Sequence, residues 1–470
     1  MPKIVPIKGV GTKNPLMRLF LDLFSFEALF VLFLFAGRYK ADPRFAFFPV
    51  DPTVLFLVAS MAIGLILLFQ EKIYLPGTYA LGIWVVFIVY LWISMVWGVG
   101  RSYGREKVML ATVMNTWCLI AGAMIMANSR ERVSRFMRLV IMFAFWLGIE
   151  ALIAWSKQGF RGRILINNGD SYLGFGRVCG LGAIIACAFW ATRKGLDFTR
   201  IGLMALLGMF MLVLLIGGGR GPLIAGIVPM LLIAVIGWRV SRSGRVRVMK
   251  MQIPILIALV GIIGVIVYSF TSPDADLGAL ATLNRFRGIV SGDLESHSDL
   301  RRSLNLENAI LGISRAPIFG HGIGSWPIIV NNSDYQDHPH NMILEILYES
   351  GLVGLAIVAC VFIVLTRKIN VHRLRTDPLL LAAAMMSVNV FMNAMTSGDL
   401  PENRQVFAML GLLLVRSPEE EESEDAAEDD DDSSPEGDEP PDIDEEGDLS
   451  EFRRLRPRTE ERWMQADEPL

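Results

Sequence analysis

Runs of roughly 20 apolar residues recur along most of this chain, and that recurrence limits what it can become. A hydrocarbon core about 30 Å thick is crossed by about 20 residues of helix, and within it a helix satisfies its own backbone polar groups. Such runs lie near 19–37, 53–70, 77–98, 108–127, 136–155, 172–192, 200–217, 221–239, 252–270, 349–366, 378–396 and 402–416. They predict an all-α polytopic membrane protein of about twelve transmembrane helices. Of the 470 residues, 53% are hydrophobic and 19% charged, a balance that a soluble globule cannot hide. That excludes a water-soluble enzyme, a nucleic-acid binder and a disulfide-stapled secreted domain. Cys118, Cys179, Cys187 and Cys360 all fall in apolar segments without a C-x-x-C pair, and are read as four buried thiols. The first apolar run carries Asp22 and Glu27 and lacks a small-x-small cleavage site. It is expected to stay as an anchor rather than leave as a signal peptide. Asp22, four residues after Arg18, is expected to pair with it.

Charge divides the chain in two. Residues 417–470 hold 24 Asp and Glu against 5 Lys and Arg, while 1–416 hold 39 basic and 23 acidic residues. The membrane domain is therefore 1–416 and is basic. The tail, with Glu419–Glu422 and Asp429–Asp432, repels itself and has little to bury, so disorder is expected, with a solubilising or spacing role. Within it, Phe452 to Trp463 mixes Arg453, Arg454, Arg456 and Arg458 with apolar residues and could fold onto the acidic run or touch lipid.

Lys and Arg in the connections set orientation. The 128–138, 239–250 and 367–375 connections are strongly basic and share a side in a twelve-span chain, together with Lys3, Lys8, Lys13 and Arg18. That side is expected to be cytoplasmic, with both termini inside. The opposite side receives the longest connection, 271–348, between spans 9 and 10. It carries His297, His321, His338 and His340, and also Arg285, Arg287, Arg301, Arg302 and Arg315. A long polar insertion in an otherwise economical membrane protein is the first place to seek chemistry.

Within it, His338-Pro339-His340-Asn341 runs into Met342 to Gly351. Pro339 keeps His338 out of the α region, so a helix should begin near His340 or Asn341 and lead into the tenth span. Asn341, Glu345 and Glu349 recur at four-residue steps on one face. An imidazole near its ordinary pKa of about 6.5 suits general-base work. Three readings stand together here: a general base with supporting carboxylates, a solvated loop with a helix cap, and an H-x-H metal site to which Asp334 and Asp337 could add ligands.

Other features point to an anion. Gly217-Gly218-Gly219-Arg220-Gly221-Pro222 lacks the ending of a P-loop and reads as a tight turn that holds Arg220 at headgroup level, facing either lipid phosphate or a ligand phosphate. Arg161 and Arg163, with Arg101 and Arg105, stand on the outer side, where basic residues call for an anionic partner. Arg177 lies inside span six and must pair or line a polar cavity, with Glu150 as the expected partner. Pro317 to Gly324, with three glycines in five residues and His321 among them, makes a shaped turn.

In order and spacing these elements resemble the O-antigen ligase and polymerase superfamily of bacterial envelope glycosyltransferases. The resemblance rests on Gly219-Arg220-Gly221 after an apolar span, Arg301-Arg302 before Leu306–Leu311, the P-x-x-G-x-G-x-G turn of Pro317 to Gly324, and H-x-H-N leading into L-E-x-x-x-E-x-G-L-x-G at Leu344 to Gly354. It covers roughly 160–400. It implies a membrane glycosyltransferase C-like fold, and transfer of a glycan from a polyprenyl diphosphate to an acceptor glycan, lipid or protein hydroxyl at the outer face of the inner membrane, with no cofactor and no metal. It implies His340 as general base with His338 beside it, and Arg220 on the diphosphate, helped by Arg302 or Arg301 and by Arg163. Asn341, Glu345 and Glu349 would support the base or the helix end. Membrane lipid and other polysaccharide-assembly proteins are the further partners implied. The loop lacks the family's tryptophan near Leu306, so either Arg301 or Arg302 could supply its cation. The contrasting expectation is a flippase for lipid-linked sugars, with its cations deep between helices.

Overall fold

The computed structural model describes residues 21–421 except 41, 71–73, 161–163, 165–171, 194, 196, 238, 241–245, 248–259, 262, 265–266, 269–270, 272–279 and 291–296, and no side chains at 172, 239–240, 246–247, 287–290 and 297–299. Most of the ninth expected span, the acidic tail beyond 421 and Arg163 thus lie outside the described residues. The chain divides into a unit Met1–Ser417 and a unit Pro418–Leu470. Of the second, only 418–421 are described, as helix.

The first unit is helical apart from a two-residue antiparallel pairing of Arg239–Val240 with Val246–Arg247 among the described residues. A short α1 (Phe26–Leu34) precedes α2 (Pro52–Gln70), α3 (Leu75–Ser94), α4 (Ser102–Met126, with two π turns), α5 (Arg130–Lys157), α6 (Tyr172–Thr192), α7 (Phe198–Ile216) and α8 (Arg220–Ile236). The long connection holds α9 (Ala281–Val290), α10 (His297–Arg315) and α11 (Trp326–Asn331). Then follow α12 (Met342–Thr366), α13 (Val371–Thr376), α14 (Pro378–Ala394) and α15 (Arg404–Gly411), which ends in a 3-10 turn. Seven of these, α2 to α7 and α12, are long and apolar enough to cross a membrane, and α8, α14 and Arg404–Leu414 are shorter apolar helices.

Burial sorts the spans. The apolar window of α6 is 83% buried and that of α2 only 28%, so α6 is the axis and α2 presents most of its surface to lipid. Packing around α6 by α5, α7, α8 and α14 depends on small residues, which let helices approach closely. A Cβ on Gly176 would meet Pro222 at 3.2 Å, and one on Gly182 would meet Ala144 and Phe210 at 2.8 Å. Cys118, Cys179 and Cys187 are buried as expected, but Cys360 is exposed. It sits on α12, where an apolar residue can face lipid as readily as core.

Two basic connections meet at one end of the bundle. Arg130 forks onto Asp377 at 2.7 and 3.0 Å and donates to the Arg416 carbonyl. Arg375 donates to the Ile236 carbonyl at 2.6 Å. Here the acids of the first apolar run find their partners. Asp22 lies 3.1 Å from Arg135 and 2.9 Å from Arg138, and Glu27 3.3 Å from Arg135. Arg18, the expected partner of Asp22, lies outside the described residues. The i, i+3 spacing of Arg135 and Arg138 puts both on the α5 face that meets Asp22.

At the opposite end α12 is broken. Gly351 takes φ +64°, ψ −165° inside it, and the backbone groups this frees are taken up by the glycine turn. Tyr348 and Glu349 carbonyls accept from His321 and Gly322 N–H, and Leu352 and Val353 N–H donate to Pro317 and Ile318 carbonyls. Gly320, Gly322 and Gly324 all have positive φ. A Cβ on Gly322 or Gly324 would also collide with the backbone of Gly98 or Gly104. The turn therefore lies backbone to backbone on the start of α4, a seat only glycine permits.

Candidate functional site

The helix expected after the H-x-H-N motif begins at Met342, with Asn341 as its cap: Asn341 Oδ1 accepts from Ile343 and Leu344 N–H, both at 3.1 Å. The same amide donates to the Met395 carbonyl at 3.4 Å, which ties the motif to the loop after α14. His340 stands just before the cap at φ +58°, a left-handed conformation uncommon for a side chain of this size and often found at functional positions. Its ring meets that of His338 edge-on, centroids 4.5 Å apart.

Both imidazoles are held neutral. Burial pushes His340 down to about 4, helped by His338 and the cations Arg302 and Arg301 and opposed by Asp337. Burial also lowers His338, whose charged neighbours are Asp399, Lys107, Glu402 and Asp337. Both ring nitrogens of buried His338 lack a hydrogen-bond partner. A neutral imidazole offers one lone pair to a proton and one N–H.

Glu345 and Glu349, which share the Asn341 face of the helix as expected, are buried. Lys107 of α4 reaches both, at 2.6 Å to Glu345 and 2.7 Å to Glu349, and all three are almost fully enclosed. Leu400 N–H donates to Glu345 at 3.0 Å. One ammonium therefore links α4 to two successive turns of α12 and, through Glu345, to the 396–403 loop. Tyr103 adds a bond to Asp399 at 2.8 Å.

The arginines gather in a cleft of about 230 Å³. Arg177 of α6, Arg220 of α8, Arg285 of α9 and Arg302 of α10 line it, together with Thr396, Ser397, Leu173, Ile224 and Phe286; among the described residues none that lines it is acidic. The Gly217–Arg220 turn is built for this. Thr282 accepts from Gly218 N–H and donates to the Leu214 carbonyl, both at 2.8 Å. Arg285 donates to the Gly218 carbonyl at 2.7 Å. Arg220 reaches back toward the Arg285 carbonyl at 3.5 Å. So α9 docks on the turn, and the guanidiniums of Arg220 and Arg285 are presented together.

His340 is not itself in the wall of the cleft. It adjoins through Arg302, which lines the cleft and acts on the imidazole, and through Asn341 and Met395, next to Thr396. Arg301 points elsewhere, 3.2 Å from Asp337. Asp337 also takes Asn331, and Asp334 caps α4 through Ser102 and Tyr103 N–H. The two acids that could have completed a metal site thus have other work. His321 donates Nε2–H to the Gly312 carbonyl at 2.9 Å and packs on Tyr348, a framework role.

One pairing needs correcting. Glu150 does not meet Arg177: it lies 2.7 Å from Arg44, on the segment between α1 and α2. Arg177 faces the cleft instead. The part played by Lys107 had one sequence signal, a lysine at the edge of an apolar run, but its partners lie 238 and 242 residues away.

Residues 198–359 match the family model described as O-antigen ligase. The match takes in α7, α8, the loop helices, the glycine turn, the H-x-H-N motif and most of α12. Among curated proteins no match to the chain is found.

Proposed function

With residues 198–359 supporting its place in the O-antigen ligase and polymerase superfamily, we propose that this chain transfers a glycan from a polyprenyl diphosphate to an acceptor hydroxyl. The observation that carries this reading is a cleft lined by four arginines, one of which, Arg302, also acts on a neutral histidine held in a left-handed backbone. His340 takes the proton of the acceptor hydroxyl, with His338 beside it. The acceptor oxygen bonds to the anomeric carbon as the bond from that carbon to the phosphate oxygen breaks, with inversion. The polyprenyl diphosphate leaves carrying the bonding pair. Arg220 and Arg302 meet the charge that grows there, helped by Arg301 and Arg163. Two charges about 4 Å apart attract by about 4 kcal/mol gross at an effective dielectric of about 20, so several guanidiniums can act as the electrophilic element. Asn341, Glu345 and Glu349 hold the base in place. The acceptor is a glycan or lipid, and the cleft end of the bundle faces the periplasm from a bacterial inner membrane, with both termini cytoplasmic.

The test is His340→Ala in cells. Surface polymer should vanish while lipid-linked units accumulate on the outer leaflet. Accumulation on the inner leaflet would point to a flippase and overturn the reading. Arg220→Ala should reproduce His340→Ala, with Arg220→Lys retaining part of the activity as a point charge. Single repeats still attached to the acceptor in the variant identify a polymerase; polymer left on the carrier identifies a ligase.

A further inference from the structure

Arg177 differs from the other three arginines of the cleft. Arg285 and Arg302 come from the connection between spans and Arg220 from the first position of its helix, whereas Arg177 stands more than a turn inside α6, the most enclosed span. Its buried Nε has no hydrogen-bond partner. The charges that act on it are Arg38 and Arg302, both of its own sign, and Glu402, an exposed carboxylate that Gln336 already approaches at 3.2 Å. A guanidinium so placed in a membrane span is expensive unless a counter-charge enters its cavity.

The surroundings say what enters. Gly176 packs on Pro222, which sets Arg177 close to Arg220 on the neighbouring helix. Leu173, one turn away on the same face of α6, lines the cleft with Ile224 and Phe286. Apolar surface beside this pair of cations suits a phosphate that is itself esterified to a hydrocarbon chain. We infer that Arg177 binds the lipid-side phosphate of the donor, so that the cleft selects a prenyl diphosphate over a prenyl monophosphate. This rests on the donor reading above and adds to it a residue that determines which carrier is accepted.

The purified full chain in detergent is melted with farnesyl diphosphate, farnesyl monophosphate or phosphatidylglycerol. In the wild type the diphosphate should raise the melting temperature at concentrations about tenfold or more below those the monophosphate needs, the worth of one charge-assisted hydrogen bond. Arg177→Leu should melt no lower than wild type without ligand, because it removes a buried cation whose named counter-charge, Glu402, is exposed and already approached by Gln336. Its response to diphosphate should fall to that of the monophosphate, and Arg177→Lys should recover part of the difference. A variant that melts lower without ligand yet keeps the full preference for diphosphate makes Arg177 a structural residue and overturns the inference, while the donor reading stands. A wild type that ignores farnesyl diphosphate sinks the donor reading and this inference together. Equal shifts with phosphatidylglycerol assign the cleft to a lipid headgroup, and also overturn it.

Discussion

Lys107 and Glu349, 242 residues apart in sequence, meet at 2.7 Å with both side chains almost fully buried. The contact joins the start of α4 to the broken half of α12, directly beneath the histidine motif. Removing one partner of a buried ion pair leaves a charge without compensation, which typically costs about 3–5 kcal/mol. Lys107→Met strands two carboxylates and should lower the melting temperature of the purified protein sharply. Glu349→Gln should cost less, since Glu345 still holds the ammonium. A Lys107→Met protein as stable as wild type would show that the cluster contributes nothing to the fold.

The acid limb of the pH profile should lie well below the ordinary histidine range. His340 is pushed down to about 4, first by burial and then by His338, Arg302 and Arg301. The neutral, proton-accepting form therefore persists as pH falls from 7 toward 5, and transfer by reconstituted protein should persist with it. The linkage runs in the matching direction. Because the folded pKa is depressed below the unfolded value near 6.5, the unfolded chain binds more protons between about 4 and 6.5. His340 thus withdraws stability as pH falls through that window and has no effect above it. An acid limb centred near 6.5 would remove His340 as the titrating base.

Thr282 is a small residue with a large share in presenting the arginines. Its hydroxyl bridges Gly218 N–H and the Leu214 carbonyl, and all three groups are enclosed. Thr282→Val leaves a buried donor and acceptor unmatched, a loss of about 1–3 kcal/mol, and loosens the turn that carries Arg220. Apparent donor affinity should weaken several-fold, whereas Thr282→Ser should behave as wild type. Donor titration of the three proteins decides it.

Gly351→Ala should be damaging out of proportion to its size. Its φ of +64° is strained for any side chain, and its Cβ would drive into the Ile318 carbonyl. Gly202→Ala, with open space around it and ordinary helical backbone, should be neutral or slightly stabilising in the same melts. Similar melting temperatures for the two would mean that the break in α12 is not anchored as described.

Much of this was legible because it is local. Apolar length marks the spans, Pro339 and Asn341 mark the start of α12, and the glycine spacing marks a shaped turn. What escaped is what depends on distant partners. Glu345 and Glu349 share a face with Asn341 by helical arithmetic, but only the fold reveals that Lys107 draws that face inward. Arg177 demanded a counter-charge and Glu150 was near in hydropathy order, yet Arg44, on the segment after α1, reaches it first. Cys360 shows the same limit in reverse, since an apolar run does not say which of its sides meets lipid.

The four backbone bonds between the glycine turn and the gap at Gly351 fasten the close of the long connection to the bundle like a rivet. That stretch cannot lift as a flap without unmaking them. Whatever fills the arginine cleft must therefore reach it with this stretch seated.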